Sequence, residues 1–400
     1  MINFCFKIIA SPNFFITPAL SKTVSFIVLT RVTCSFTSCA ISLSPVEINT
    51  GNFASVASFA RSSPPQTSWK LLDRVPFDSG STSTLDSGTF TTKDNMMFLY
   101  HICRPSSGDQ NIRLRFNGDD SDNYSERYSL DFGGSNVQNS QTNIALHSGV
   151  VNENFGVFEF KNIASREQLC IGRVVGSNTD GNSNPSSRTQ ALKWTNTSNQ
   201  VNRIELVNTS TGNFETGSEL VILGYDNDES DSGTNFWQVL KTAELTSASA
   251  NFESGQISTT KKYLWIQAEY DVTSTGNVGI LRGGTGGTFD LGNVMSTRFS
   301  HDGASDNSPQ TGVSYAIVSP SSDGSSRVFV SCFIVNKSDK EKLGISDGCD
   351  MASTGSGTAP DRTQGAFKWS TTSAQLDIFK FGTADGGNLN NGKMTIWGSD

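Results

Sequence analysis

The side chains able to do chemistry are few and scattered through the 400 residues. Asp119, Asp120 and Asp122 stand in the loop from Asn117 to Asn123 and offer a carboxylate pair of the glycosidase type. The corresponding later loop, Gly283-Gly284-Thr285-Gly286-Gly287, holds no acid. A turn that favours Asx hydrogen bonds and positive φ explains both versions, so the acids read as turn formers. The three histidines are His101, His147 and His301, none in a metal-ligand spacing. The acidic run from Asp226 to Gly233 suggests a calcium loop, but its twelfth position is Trp237, where an EF-hand needs a bidentate Glu. A solvated linker between two halves is the expected role. Arg188 and Arg362 are candidate ligands for acids or glycans, against the plainer reading that they hydrogen-bond adjacent loops. No G-x-S-x-G elbow, Walker loop or dinucleotide glycine pattern falls between a strand and a helix. The expectation is no catalytic, cofactor-binding or metal-binding residue, and no enzyme.

The elements that would position such groups are written twice. Arg188-Thr189-Gln190-Ala191-Leu192-Lys193-Trp194 returns one residue longer as Arg362-Thr363-Gln364-Gly365-Ala366-Phe367-Lys368-Trp369. Each copy leads through a Ser/Thr/Asn segment to a Gln, Gln200 or Gln375, and then to an alternating apolar run. The first half opens at Trp69 and the second at Trp237, 168 residues later. Met96, Phe98, Tyr100 and Ile102 align with Leu264, Ile266, Ala268 and Tyr270, period-two sets that each mark a strand with one buried face. Gln267 and Glu269 fall on the solvent face between them. Trp69, Trp194, Trp237 and Trp369 occupy matching places, so they are expected to be structural anchors packed in cores rather than sugar platforms.

Each half holds about nine or ten short strands separated by turn signals, and no segment sustains a helical period. The fold class is therefore all-β: two tandem homologous β-sandwich domains, jelly-roll-like, behind a non-homologous N-terminal extension. The boundaries are 1–66 for the extension and linker, 67–229 for the first repeat and 230–400 for the second. Within 1–66, Lys22, the patch Val24 to Leu29 and Ser38-Cys39-Ala40 imitate a signal peptide. Arg31 follows too closely and the positive residue lies far from Met1, so a poorly ordered extension, or residues translated from an upstream start, is expected, with Ser62-Ser63-Pro64-Pro65 as linker.

Seven cysteines at irregular positions have no counterparts between halves, which favours free buried thiols over a disulfide framework. Charged residues are 17% and the net charge is −8, against the clustered Lys and Arg of a nucleic-acid surface. No run reaches the roughly 18 apolar residues of a membrane-spanning helix. The sequons at Asn196, Asn208 and Asn336 matter only in a secreted protein.

Asn111-Ile112-Arg113-Leu114-Arg115-Phe116-Asn117, Asn123-Tyr124 through Arg127-Tyr128, Ser140-Gln141-Thr142 and the closing Gly217-Ser218-Glu219-Leu220-Val221-Ile222-Leu223-Gly224 resemble repeat-bearing virion structural proteins of marine bacteriophages. The resemblance covers 67–400, more clearly the first half. The second half departs from it, Gly279-Ile280-Leu281-Arg282-Gly283 standing in place of Arg113 to Asn117. It implies a non-enzymatic component of a tail fibre or capsid surface, located on the virion, with other virion proteins and a host-surface glycan as partners. It carries no catalytic residues. A homo-oligomer is expected, while nucleic acid and membrane are not. A secreted carbohydrate-binding adhesin is the alternative, and a polysaccharide-degrading enzyme with facing carboxylates is a further one.

Overall fold

The computed structural model describes residues 32–35, 38–41 and 68–400, apart from 104–106, 150–152, 178, 228–233, 274–276, 302–308, 323–325, 352–358 and 385. The expectations for most of 1–66 and for most of the acidic run lie outside the described residues. The N-terminal unit, Met1–Ser63, shows one antiparallel hairpin of β1 (Val32–Ser35) and β2 (Ser38–Ile41). Pro64–Asp400 forms the other compact unit.

This larger unit is all-β, with no helix among the described residues. The first repeat begins with β3 (Lys70–Pro76), β4 (Thr84–Asp86), β5 (Asn95–Ile102), β6 (Gln110–Phe116), β7 (Tyr124–Leu130) and β8 (Ser135–Gln141). It continues with β9 (Ile144–Gly149), β10 (Glu153–Lys161), β11 (Gln168–Ser177), β12 (Pro185–Trp194), β13 (Ile204–Asn208) and β14 (Glu219–Tyr225). The second repeat opens with β15 (Gln238–Leu245), β16 (Asn251–Glu253), β17 (Tyr263–Val272), β18 (Asn277–Thr285), β19 (Thr288–Phe289), β20 (Met295–His301) and β21 (Gln310–Val313). It closes with β22 (Ala316–Ser322), β23 (Ser326–Val335), β24 (Lys342–Asp350), β25 (Asp361–Trp369), β26 (Ile378–Thr383) and β27 (Leu389–Ser399).

Each repeat is a sandwich of one large and one small sheet. The large sheets share one strand order: β3-β14-β5-β10-β11-β12-β7-β8 in the first, β15-β27-β17-β23-β24-β25-β20-β21 in the second. The small sheets are β4-β13-β6-β9 and β16-β26-β18-β19, the latter with β22 paired to β18. Strand β6 alternates buried and half-buried residues, so Ile112, Leu114 and Phe116 enter the first core. There Trp194 meets Phe116 at 5.8 Å, while Phe98 and Phe158 stack at 4.7 Å. Gly172 lies under Phe158, where a Cβ would come within 2.0 Å of the ring. Trp369 fills the same place in the second core, edge-on to Phe367 at 5.2 Å.

The one-face expectation fails for β5, all of whose residues are buried. Met96, Phe98, Tyr100 and Ile102 face the first core, while Met97 and Leu99 face the second repeat. A third apolar cluster runs between the large sheets, joining Leu99, Val157 and Val221 with Tyr263, Val335, Ile345 and Trp397. Trp237 sits here, edge-on to Phe236 at 4.9 Å, and Trp69 is half-buried beside it with Tyr225 against its ring. Polar clamps surround the apolar centre. The buried Lys368 ammonium donates to Ser177 Oγ and Ser183 Oγ, each at 3.0 Å, and pairs with Glu341 at 3.1 Å. Tyr263 donates to Glu219 at 2.6 Å, and Arg298 Nε donates to the Pro185 carbonyl at 2.8 Å.

The segment closing on Gln has a physical reason in both repeats. Asn162 and Asn336, both fully buried, each exchange two hydrogen bonds with the backbone of the residue after that Gln, Val201 or Leu376. Gln200 and Gln375 donate to the carbonyls of those asparagines. Asn336 is thereby closed to modification, and Asn208 is likewise buried with its amide donating to Asp109 and Gly212. Asp226 is not a free linker acid: it pairs with Lys93 at 3.1 Å and accepts the Asp94 N–H. Lys261 and Asp400 repeat that pair at 2.6 Å.

Candidate functional sites at the seam between the repeats

In the Asn117–Asn123 loop Asp120 and Asp122 are exposed, while Asp119 is half-buried. Asp119 accepts hydrogen bonds from the Trp194 indole and the Asn123 amide, both at 2.8 Å, and from the Ser121 N–H. Burial acts to raise its carboxyl, but the bonds from Asn123, Trp194 and Ser121 outweigh it and hold the group below its ordinary value. Asp119 is thus the lid of the Trp194 pocket. Gly283 takes that place over Trp369, whose indole N–H has no hydrogen-bond partner among the described residues.

The extra residue in the second copy of the duplicated strand changes what its arginine can reach. Arg188 precedes its tryptophan by an even number of residues, Arg362 by an odd number, so the two point to opposite faces. Arg188 is 1% exposed and lies inside the first repeat. It donates at 2.6 Å to Glu126 and to Gln190, and its guanidinium covers Tyr128 at 3.6 Å from the ring centre. Burial pushes the Glu126 carboxyl up, against the pull of Arg188. Arg188 therefore takes the intramolecular role that the sequence favours. Arg362 is exposed and turns outward, with Gln364 beside it.

That outward face opens on a cleft of about 580 Å³ lined by both repeats. The pairing register explains its chemistry. A cross-strand row in the first sheet runs Val221–Leu99–Val157 and then becomes polar at Arg173 and Thr189. The apolar part seals the seam, and the cleft begins where the row turns polar. In the second sheet, Trp265, Phe333 and Ile345 form one row, and Ser331, Asp347 and Gln364 form the next polar one. Trp265 stacks on Phe333 with ring centres 5.4 Å apart and donates its indole N–H to Ser331 at 3.0 Å. Arg173 of the first repeat is ion-paired with Asp347 of the second across the cleft. Beside it, Ile171 is 65% exposed. The cleft therefore combines a flat aromatic wall with amide, hydroxyl and guanidinium groups. Trp265 and Phe333 escape the sequence reading because they sit in runs that look like plain core strands.

A second constellation lies on the seam-facing side of β5. His101 and Cys103 are two residues apart, so they project to the same face, and Glu153 lies beside them at the start of β10. One ligand atom from each can be chosen so that all three lie within 4.8 Å of one another. Cys103 Sγ is 3.9 Å from His101 Nδ1, and Glu153 Oε2 is 3.9 Å from His101 Nε2. Burial holds the imidazole well below its ordinary value, helped by Lys337, and raises the thiol to about 11 and the carboxyl to about 7. Sequence spacing, in which no histidine stands at a metal-ligand interval, does not show this grouping. A strand brings residues at i and i+2 together, and the partner acid comes from fifty residues on, so spacing rules tuned to fingers and helices pass over it. Cys103, Cys170 and Cys332 are free buried thiols, whereas Cys349 is exposed.

No family model matches the chain. No curated protein matches it either. Among solved structures it is similar to the mouse laminin alpha1 chain, domains LG4-5, at 10% identity over 83% of this chain and 90% of that chain, with a TM-score of 0.17. A score that low does not carry a shared fold.

Proposed function

We propose that the chain is a non-enzymatic structural component on the surface of a bacteriophage particle, in a tail fibre or on the capsid, and that it takes part in host attachment. The viral part rests on the resemblance of residues 67–400 to virion proteins. The attachment part rests on one observation, the cleft in which Trp265 and Phe333 stand opposite Thr189 and beside Gln364 and Arg362. Aromatic faces cover the apolar face of a sugar ring, while amides and guanidinium groups match its hydroxyls and any acidic substituent. Other virion proteins and further copies of the chain are its partners in this reading.

The experiment has two arms. Mass spectrometry of purified particles should find the chain in stoichiometric amount, and the purified chain should bind intact host cells without releasing oligosaccharide. Absence from particles removes the viral part. Cell binding that survives both Trp265→Ala and Arg362→Ala removes the cleft as the attachment site.

A further inference from the structure

We propose that His101, Cys103 and Glu153 form a binding site for a divalent transition-metal ion of the zinc class. The donor set is the first reason. Imidazole nitrogen, thiolate sulfur and carboxylate oxygen are the three ligand types that zinc takes, and three protein ligands with one open position form an ordinary coordination shell. Calcium and magnesium, which demand oxygen ligands, are excluded by the same set.

Geometry is the second reason. A tetrahedral zinc ion places its ligand atoms roughly 3.3–3.8 Å apart, given bonds of about 2.0–2.3 Å. The carboxylate stands 3.9 Å from Nε2, too far for a hydrogen bond, while the thiol at 3.9 Å from Nδ1 makes only a weak sulfur hydrogen bond. One ligand atom from each residue can be chosen with all three within 4.8 Å of one another, about 1 Å wider than a closed shell. The ring can give only one of its nitrogens to the ion, so one of the two near neighbours must swing by a side-chain rotation.

The third reason is unmet polarity. His101 is 0% exposed and Glu153 8%, yet His101 Nε2 and Glu153 Oε2 have no hydrogen-bond partner among the described residues. Buried polar atoms are rarely left so, and a bound ion is one of the standard causes. The fold also holds the ligands in place. Ser218 Oγ accepts the Cys103 N–H at 2.9 Å, and Gln110 donates to the Cys103 carbonyl at 2.9 Å.

A route in is present as well. Glu153 lines a second cleft, of about 640 Å³, together with Asp180, Glu215, Asp339, Glu341 and the single cation Lys340. Lys337 and Lys342 also act on Glu153, and Glu341 is paired with Lys368, so the donor set and not the field of the cleft must hold the ion. On binding, Cys103 ligates as thiolate and gives its proton to solvent, Glu153 ligates as carboxylate, and the ion keeps its oxidation state. Glu153 is the ligand that reaches the acidic cleft, from which a water or a donor from a partner would complete the shell.

Cobalt(II) is the probe, because thiolate ligation gives it a charge-transfer absorption. The full chain is used with Cys5, Cys34, Cys39 and Cys349 changed to Ser, which leaves Cys103, Cys170 and Cys332 as its thiols. One equivalent should bind with that absorption, and Cys332→Ser should leave it unchanged. Cys103→Ser should abolish it, and Glu153→Gln should weaken binding by more than about tenfold. An absorption that is absent at the start, or that survives Cys103→Ser, overturns the site. Should Cys103→Ser lose its β-sheet circular dichroism, Glu153→Gln decides, and unchanged cobalt affinity in that variant also overturns it.

Discussion

Arg188 and Arg362 show how one inserted residue redirects a side chain. Gly365 lengthens the second copy, so the same Arg-Thr-Gln motif that closes on Glu126 in the first repeat faces the cleft in the second. Arg188→Ala should destabilise the protein by about 3–5 kcal/mol, since it leaves a carboxylate buried without its partner. Arg362→Ala should stay within about 0.5 kcal/mol of the wild type, as exposed substitutions do. Denaturant midpoints compare them. Asp119 gives a pH signature. Its folded-state carboxyl lies below the ordinary 3.8, so its stabilisation is present above that value and is lost as pH falls through the lower, folded one. Asp119→Asn should flatten this acid limb of the stability curve, and an unchanged limb would assign the loss to other acids. The sequence made the duplication of these residues legible. It left illegible the face each one takes, because a single added residue inverts that face while the motif still aligns.

At the scale of the strand, the Trp strands β12 and β25 fix the cores of their own repeats. Trp194→Ala and Trp369→Ala should each cost about 3–5 kcal/mol. An unchanged unfolding midpoint for either would mean that its core does not depend on it. Gly172 belongs to the same element-level logic. A methyl group there collides with Phe158, so Gly172→Ala should destabilise by about 1–3 kcal/mol through overpacking. Alternation revealed most strands, and the all-β class followed from it. It misjudged β5 because apolar residues on both faces were read as one inward face and one wet one. The second face packs against the other repeat, more than a hundred residues away, and no local pattern carries that information. His101 and Cys103 were overlooked for the same reason, since they lie on that hidden face.

At the scale of the whole unit, the seam joins the two repeats through an apolar centre ringed by buried polar clamps. Lys368 is one of these, a fully buried ammonium held by groups of both repeats. Lys368→Ala should leave Glu341 buried without its cation and should split or broaden the unfolding transition as the repeats come apart. A single sharp transition at the wild-type midpoint would show that the clamp does not hold them. The same seam shapes the cleft on which the attachment reading depends, and several copies of that cleft on an oligomer would raise weak glycan affinity through avidity. The most direct measurement titrates isolated host-surface polysaccharide into the purified chain while following reducing ends. The account predicts saturable binding, weakened by about tenfold or more in Trp265→Ala and Arg362→Ala, with no release of oligosaccharide. Binding unaffected by both changes, or sustained cleavage abolished by replacing one carboxylate, would contradict it.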